Sequence, residues 1–212
     1  MIFQLRSGDV LLGVLPFFHS FGYTATLWFP LLTGFKAVYH TNPLDSRTIG
    51  ALCREHRVSF LIATPTFISA YIRKIPKEDF AALRFAIAGA EKLRPEVAAA
   101  FEEKFGVPIL EGYGCTELSP AVAMNVPDIM DGEVFETGRK VGKVGRPLPG
   151  LSVRVVDPES FRPLSPGEAG LLLVRGPNVM KGYLDDPQKT REVIKDGWYV
   201  PATSPPSTTT GS

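Results

Sequence analysis

The chain has 212 residues, 44% hydrophobic and 21% charged, which is the composition of a globular domain and excludes a disordered or fibrous chain. A formal net charge of +1 gives no electrostatic reason to expect nucleic acid as a partner. The two cysteines and three histidines form no CxxC or other metal spacing, and this cysteine usage predicts a cytoplasmic location. No signal-peptide pattern is present at the start of the sequence.

The segment from residue 10 to residue 35 contains no Asp, Glu, Lys or Arg, and it is long enough to raise the question of a transmembrane helix. Pro16, Pro30 and three glycines interrupt it, which argues against one continuous helix. We therefore predict a buried strand followed by a buried helix.

Strand and helix patterns alternate over the first two thirds of the chain. Asp45 is a predicted N-cap, and a later helix is expected to begin at Pro95 and to end at Gly106. Because strands that alternate with helices pair in parallel, we predict an α/β fold with a covered, mostly parallel sheet. Apolar runs typical of its buried strands occur at residues 10–15, 58–63 and 84–88.

The pattern changes after about residue 140. Apolar and polar residues alternate over 151–155, and an SPGE turn leads into the apolar run LLLVRG at 171–176, which together predict a β-hairpin in a smaller β-rich unit. A final helix is predicted with Asp186 as N-cap, Pro187 in the first turn and its end at Gly197.

The decapeptide EGYGCTELSP at 111–120 has the groups that a nucleotide site requires. Gly112 and Gly114 lack Cβ atoms, so a ligand can approach the backbone and φ can be positive. The ring of Tyr113 is suited to stacking on a purine, the hydroxyl of Thr116 to a phosphate oxygen, and the carboxylate of Glu117 to Mg²⁺. The alternative is a buried tyrosine before a tight turn, with Thr116 capping a short helix.

Five further segments occur in order around the decapeptide: LPFFHSFG (15–22), IAGAEKL (87–93), VGRPLPG (144–150), GEAGLLLVRGPNVMKGYLDDP (167–187) and DGWY (196–199). With them, the chain resembles the adenylate-forming superfamily of acyl-CoA synthetases, luciferases and peptide-synthetase adenylation domains over about residues 8–200. It is most similar to bacterial long-chain acyl-[acyl-carrier-protein] synthetases, whose domain is often joined to a 2-acylglycerophosphoethanolamine acyltransferase.

The resemblance implies a division of the chain into three parts. Residues 1–140 correspond to the α/β part of the AMP-binding domain, in the centre of the large N-terminal domain of these enzymes. Residues 141–200 correspond to a β-rich subdomain of the same domain, and residues 201–212 form a tail.

The resemblance also implies a two-step ligase reaction. A fatty-acid carboxylate attacks the α-phosphorus of ATP to give an acyl-adenylate and pyrophosphate, and a thiol then attacks the acyl carbon and releases AMP. The implied cofactors are ATP, or AMP as product, and Mg²⁺. The implied partners are a fatty acid and either acyl-carrier protein or coenzyme A, with peripheral membrane association through the full-length family protein.

Site residues are carried over from the same motifs. Thr116 and Glu117 are the expected catalytic residues, Thr116 at the α-phosphate and Glu117 on Mg²⁺. His19 is expected at the mouth of the acyl pocket, with a hydrogen-bonded core histidine as the alternative. The expected nucleotide-binding residues are Gly89, Ala90, Glu91, Glu111, Gly112, Tyr113, Gly114 and Thr116.

Two further sets of residues are not counted among the expected site residues. The aromatic residues Phe17, Phe18, Phe21, Trp28 and Phe29 are interpreted either as lining an acyl groove or as core. Gly176, Gly182 and Tyr183 are expected to pack the β unit against the site.

The family's phosphate loop, a Ser/Thr/Gly-rich run ending in Pro-Lys-Gly, is absent from the 212 residues. We therefore expect this piece of the enzyme to bind ATP weakly and to be inactive.

The Thr-Gly-Asp that the family has after DGWY is also absent. Loss of one base from a valine codon in DNA encoding VTGDIATIDDDGF yields VPATSPPSTTTG and then Ser, the sequence of residues 200–212. We expect residues 201–212 to be out-of-frame translation, with a disordered Pro/Ser/Thr tail as the alternative.

A different class of function remains open from the sequence. The chain can instead be a non-catalytic module that binds an acyl chain or a nucleotide, or one half of a split synthetase. DNA sequence on both sides of the reading frame discriminates these cases from a ligase fragment.

Overall fold

The computed structural model describes residues 5–131 and 133–201, so residues 202–212 of the predicted tail lie outside the described residues. In chain order the elements are β1 (Val10–Gly13), α1 (Ser20–Gly22), a π-helical segment (Tyr23–Trp28), α2 (Phe29–Thr33), β2 (Lys36–Tyr39), α3 (Ser46–Glu55), β3 (Phe60–Ala63), α4 (Pro65–Lys74), a 3-10 turn (Lys77–Phe80), β4 (Phe85–Ala88), α5 (Pro95–Phe105), β5 (Ile109–Gly114), a second 3-10 turn (Thr116–Leu118), β6 (Ala121–Met124), β7 (Ile129–Asp131), β8 (Val134–Glu136), β9 (Arg146–Pro147), β10 (Ser152–Val156), β11 (Leu171–Arg175), α6 (Pro187–Val193), β12 (Ile194–Lys195) and β13 (Trp198–Tyr199).

A seven-stranded sheet forms the large unit, in the order β2-β1-β3-β4-β5-β6-β9. Its first five strands are parallel, and β6 and β9 are antiparallel to their neighbours. A second, antiparallel sheet has the order β10-β11-β13-β12, and β7 pairs with β8. The predicted fold class is therefore confirmed, and the large sheet extends past residue 140 to include β9.

The central strand β3 is buried on both faces. Leu61 and Ala63 face the layer formed by α3, α4 and α5, while Phe60 and Ile62 face the opposite layer, which contains Phe29. A strand with both faces covered contains consecutive apolar residues, which is why Phe60–Ala63, within the predicted segment 58–63, is a continuous apolar run.

A buried carboxylate joins the amino ends of three neighbouring strands. Asp9, Ser59 and Arg84 each directly precede a strand, namely β1, β3 and β4. Asp9 Oδ1 accepts hydrogen bonds from Ser59 Oγ at 2.7 Å and from Arg84 Nη1 at 2.6 Å. Burial by itself raises the pKa of Asp9, but hydrogen bonds from the Arg6 amide, Ser59 and Arg84 outweigh it and hold the pKa below its usual value. The negative charge of Asp9 is therefore stabilised at the amino edge of the sheet, opposite the carboxyl ends of the strands.

The predicted helix boundaries are confirmed for α3 and α5. Asp45 caps α3 by accepting a hydrogen bond from the Thr48 amide at 3.2 Å. Helix α5 begins at Pro95 and ends before Gly106, whose φ of +72° is the left-handed conformation that glycine adopts without steric cost.

The predicted buried helix within residues 10–35 is wrong. Strand β1 is buried as expected, but α1, the π-helical segment and α2 cover the sheet with their inner side alone. On the outer side of α2, Leu32 is 78% exposed and Leu31 is 64% exposed, and Phe18 in the turn before α1 is 94% exposed. None of the helices within residues 5–131 and 133–201 combines the length and the apolar character needed to cross a bilayer.

The predicted end of the last helix is also wrong, because α6 stops at Val193 instead of Gly197. The residues that follow form a tight hairpin, in which Lys195 pairs with Trp198 across a two-residue loop. Asp196 and Gly197 have φ values of +51° and +77°, as a type I′ turn requires at both central positions. Asp-Gly is a strong hairpin signal, and here it forms the turn between β12 and β13 after the helix has ended.

We predict that Leu61→Ala lowers the free energy of unfolding by about 2 to 5 kcal/mol, because it leaves a cavity where a fully buried side chain fills the centre of the sheet. Leu31→Ala is the matched control, since its side chain is mostly exposed; we expect a change within about 0.5 kcal/mol. Urea unfolding followed by circular dichroism measures both. A loss below about 1 kcal/mol for Leu61→Ala contradicts the assignment of β3 to the core.

Candidate active site

A pocket with a cavity volume of about 300 Å³ lies at the carboxyl ends of β4 and β5. Ligands of open α/β sheets bind at this edge, and the volume is at the lower end of the range for ligand pockets. The lining residues are His19, Ser20, Phe21, Ile87, Ala88, Gly89, Ala90, Gly112, Tyr113, Gly114, Cys115, Thr116, Glu117, Pro120, Ala121, Ala123 and Met124. The structure thus brings together most of the predicted site residues.

The two glycines of the decapeptide have different structural roles. A Cβ atom at Gly114 would lie 1.7 Å from the carbonyl oxygen of Pro120, so the chain can pass there only without a side chain. A Cβ atom at Gly112 would find its nearest neighbour at 3.6 Å, which is an ordinary contact. Neither residue has a positive φ. Gly114 is therefore required by the close approach of the chain to itself, and Gly112 leaves space beside the pocket.

Tyr113 and Cys115 are partly buried between the pocket and the apolar cluster around Leu118. Burial raises the pKa of the Tyr113 hydroxyl, and the neighbouring Cys115 and Glu117 add to the effect. Burial, with Glu117 next, raises the pKa of the Cys115 thiol to about 11. Both shifts favour the neutral form of these two groups in the pocket lining.

Thr116 does not cap the turn that begins with it, because Cys115 is the N-cap residue and makes no side-chain cap hydrogen bond. The Thr116 hydroxyl instead lies 3.0 Å from the Ser20 hydroxyl. This contact joins the segment that contains His19 to the end of β5, and both hydroxyls face the pocket.

Glu117 accepts a hydrogen bond from the Tyr183 hydroxyl at 2.8 Å. Burial by itself raises the pKa of Glu117, but hydrogen bonds from its own backbone amide and Tyr183, together with the positive charge of Lys189, hold the pKa below its usual value. An ionised carboxylate in the wall of this pocket fits Mg²⁺, which binds proteins through one or two carboxylates together with substrate phosphates. No group of three or more His, Cys, Asp or Glu in the described ranges forms a preassembled metal site.

The loop after β4 contributes Gly89 and Ala90 to the pocket but not Glu91. Ala90 has a φ of +68°, which is uncommon for a residue with a side chain. The carboxylate of Glu91 accepts hydrogen bonds from the amide and hydroxyl of Thr66, at 3.2 and 2.6 Å, at the amino end of α4. It therefore supports the loop from outside the pocket.

Glu111 also lies apart from the other predicted nucleotide-binding residues. Its side chain is 9% exposed and borders a separate cavity of about 20 Å³, together with Asn125 and Arg139. Burial raises the pKa of Glu111, against the opposing effect of the Leu93 amide and Lys92. Successive residues of a strand point to opposite faces, which places Glu111 on the far side of β5 from Leu110.

His19 lies in the wall of the pocket and is exposed, so it is not a core histidine. Its Nδ1 accepts a hydrogen bond from the Phe21 amide at 3.1 Å and caps α1. In the neutral ring Nε2 consequently carries the proton and is the donor available to a substrate. The substrate-binding role of His19 stays a prediction.

The aromatic residues between 17 and 29 differ in their positions, since one lines the pocket and another packs in the core. Phe21 lines the pocket, where its ring would lie 3.1 Å from a Cβ atom at Gly89. Phe29 packs in the core, with its ring centroid 5.8 Å from that of Phe60. The exposed Phe18 belongs to neither group.

A segment of the β-rich unit, residues 176–183, holds the turn that carries Glu117. The Met180 amide donates to the Glu117 carbonyl at 2.8 Å, and Asn178 Nδ2 donates to the carbonyls of Leu118 and Ala121 at 2.8 and 2.9 Å. The sequence predicts a packing role for this segment and does not predict the contact of Tyr183 with the carboxylate. Its signal in the sequence is a tyrosine directly after Gly182.

The fold and the pocket define an α/β domain with a site of glycines, hydroxyls and one carboxylate at the edge of a parallel sheet. The sequence profile of the family described as AMP-binding enzyme matches residues 1–184, and the chain belongs to this family. The resemblance stated from the motifs is thereby confirmed.

Three curated relatives show the breadth of the family. The long-chain-fatty-acid–CoA ligase of Bacillus subtilis is 29% identical over 203 residues, the luciferin 4-monooxygenase of Photinus pyralis 31% over 199, and the probable 4-coumarate–CoA ligase 1 of Dictyostelium discoideum 33% over 198. These alignments cover 93%, 92% and 91% of this chain. The chain spans about a third of the relatives' length, 34% in each case.

Solved structures agree with the sequence relatives. Apo MatB from Rhodopseudomonas palustris superposes with a TM-score of 0.82 at 30% identity, over 94% of this chain and 38% of MatB. The ATP-bound form of the same protein also has a TM-score of 0.82, at 31% identity and with the same coverage. The anthranilate–CoA ligase AuaEII, at 23% identity and a TM-score of 0.81, shows the same fold over 94% of this chain and 37% of its own.

We predict that Gly114→Ala lowers the free energy of unfolding by about 2 kcal/mol or more, because its Cβ atom meets the backbone of Pro120 and the turn must move. Gly8→Ala is the matched control, since a Cβ atom there meets no heavy atom within 4 Å. Thermal unfolding of both variants measures the difference. Equal stability of the two variants is the result that contradicts the close approach.

Proposed function

We propose that this chain is part of an AMP-forming acid–thiol ligase that activates a long-chain fatty acid as its acyl-adenylate. The observation that carries the proposal is the shared pocket formed by Gly89, Ala90, Tyr113, Thr116 and Glu117. Membership of the AMP-binding enzyme family and the likeness to long-chain-fatty-acid–CoA ligases support it.

The proposed first step joins a fatty acid to the α-phosphate of ATP. The carboxylate oxygen attacks the α-phosphorus, the bond to the bridging oxygen breaks, and pyrophosphate leaves. In this step Tyr113 stacks on the adenine, the Thr116 hydroxyl donates to an α-phosphate oxygen, and His19 orients the attacking carboxylate from the pocket wall. Positioning of this kind is the main contribution of a protein to in-line phosphoryl chemistry.

Mg²⁺, when bound with the nucleotide, neutralises charge on the phosphate oxygens. Glu117 is the residue proposed to hold it, since its carboxylate is ionised and lines the same pocket as Thr116. The pocket contains no Lys or Arg among its lining residues in the described part of the chain. Within these residues the negative charge of the phosphates therefore has no side-chain counterion.

In the proposed second step a thiol attacks the acyl carbon, the thioester forms, and AMP leaves with the bonding electron pair. The similarity of LPFFHSFG, AGAEKL and GPNVMKGYL to acyl-[acyl-carrier-protein] synthetases supports acyl-carrier protein as the acceptor. Coenzyme A is the acceptor that the names of the curated relatives support. A cytoplasmic location is proposed from the cysteine usage, and association with the membrane surface from the full-length family protein.

We predict that the chain binds AMP and that Tyr113→Ala weakens the binding about tenfold or more, because base stacking on an aromatic ring contributes about 1 to 3 kcal/mol. Isothermal titration calorimetry measures both affinities. Tyr23→Ala is the control, since Tyr23 lies outside the pocket lining. The proposal is contradicted if the unaltered chain does not bind AMP, or if the Tyr113→Ala variant binds AMP with equal affinity.

We also predict that a polypeptide of these 212 residues supports no detectable ATP–pyrophosphate exchange with any fatty acid. The physical reason is the missing Pro-Lys-Gly loop and the lack of a cationic side chain in the pocket lining. Exchange of labelled pyrophosphate into ATP is the assay, and a full-length family ligase is the positive control. A rate typical of enzymes, roughly 1 per second or more, refutes inactivity.

A further inference from the structure

The Tyr183 hydroxyl reaches across from the β-rich unit to the carboxylate of Glu117. Its oxygen lies 2.8 Å from Glu117 Oε1, although the two residues are 66 positions apart in the chain. Among the described residues Tyr183 is not part of the pocket lining, so its hydroxyl reaches the pocket through its hydrogen bond to Glu117.

The position of Tyr183 is itself fixed by the start of α6. Its amide donates to Thr190 Oγ1 at 2.9 Å, and the Thr190 hydroxyl donates to the Asp186 carbonyl at 2.8 Å. The Lys189 ammonium lies 4.9 Å from the centre of the tyrosine ring. A Cβ atom at Gly182 would lie 2.8 Å from Thr190 Cγ2, so glycine is needed for this close packing. Tyr183 is therefore held at its backbone amide by Thr190 and at the face of its ring by Lys189.

Backbone and side chain of Glu117 are held by different groups. Met180 and Asn178 hold the backbone of the turn through carbonyl oxygens, as described above. The carboxylate accepts hydrogen bonds from its own backbone amide and the Cys115 thiol within the turn, and from the Tyr183 hydroxyl of the β-rich unit. Removal of that hydroxyl alone therefore leaves the turn in place and removes the hydrogen bond by which the β-rich unit orients the charged end of the side chain.

From this geometry we infer that Tyr183 is a positioning residue, whose hydroxyl fixes the Glu117 carboxylate in the orientation that receives a nucleotide-bound divalent cation. The inference rests on the proposed function for the role of the cation. It gives the segment 176–183 a part in the chemistry beyond packing, because the β-rich unit sets the orientation of a charged group in the α/β unit.

The first test requires no ligand. Three-bond NMR couplings along the Glu117 side chain of the 212-residue chain report whether it occupies one rotamer. We expect single-rotamer couplings in the unaltered chain and averaged couplings in Tyr183→Phe. Tyr39→Phe is a matched control, since it also removes one hydroxyl that donates over 2.8 Å, here to the Thr26 carbonyl. Unchanged couplings in Tyr183→Phe overturn the inference.

The second test measures Mn²⁺ affinity in the presence of AMP by water-proton relaxation. Loss of a group that orients a metal ligand typically weakens metal binding 10- to 100-fold, so we expect Tyr183→Phe to weaken Mn²⁺ binding about tenfold or more. Metal-free AMP affinity is expected to be unchanged, which a general loss of structure would not allow. Tyr39→Phe should leave both affinities unchanged.

The two proposals fail in different ways. Averaged couplings in Tyr183→Phe, with no AMP or Mn²⁺ binding by the unaltered chain, support the positioning contact and overturn the proposed function. Binding of AMP and Mn²⁺ that is equal in the unaltered chain and in Tyr183→Phe overturns the positioning role and leaves the proposed function standing.

Discussion

Burial of the parallel strands on both faces is the constraint on which the rest of the structure depends. Strands β1, β3 and β4 carry apolar side chains on both sides, so the chain must supply a layer of helices on each. Helices α3, α4 and α5 form one layer, and the uncharged segment around Phe21 and Phe29 forms the other. Because the helices occupy the faces, loops at the carboxyl edge of the sheet are what remains to form a site.

The two ends of the sheet carry different chemistry. At the amino edge the buried carboxylate of Asp9 accepts hydrogen bonds from a serine and an arginine that directly precede neighbouring strands. At the carboxyl edge the carboxylate of Glu117 lies in the wall of an open pocket and accepts a hydrogen bond from Tyr183 of the other unit. A buried charge with several partners is structural, whereas an ionised group held at a pocket wall is available for binding.

The site is formed by residues that contact each other across the α/β unit and the β-rich unit. Strand β6 belongs to the large sheet, yet Val122 packs with Leu172 and Val174 of the β-rich unit. The turn that carries Thr116 and Glu117 lies between these layers, and hydrogen bonds from both units reach it. Movement of the β-rich unit would therefore change the site directly.

Local signals in the sequence predicted the elements that local physics controls. Proline, glycine and capping residues placed α5 and the start of α3, and continuous apolar runs placed three strands of the sheet. Helix α6 ends at Val193 instead of the predicted Gly197, because residues 194–199 form a hairpin whose turn is Asp196 and Gly197. The exposed side of the segment after β1 was missed because apolar composition reports burial only where a neighbouring layer covers it.

The motifs by themselves determined the family and most of the pocket, since Tyr113, Thr116 and Glu117 lie on one short segment whose geometry is local. Tertiary structure alone decided that Glu91 and Glu111 point away from the pocket, that Ser20 meets Thr116, and that Tyr183 holds Glu117. The contacting residues Glu91 and Thr66, Ser20 and Thr116, and Tyr183 and Glu117 are 25 to 96 positions apart in the chain. A contact between residues so far apart depends on how the layers pack, which no local pattern encodes.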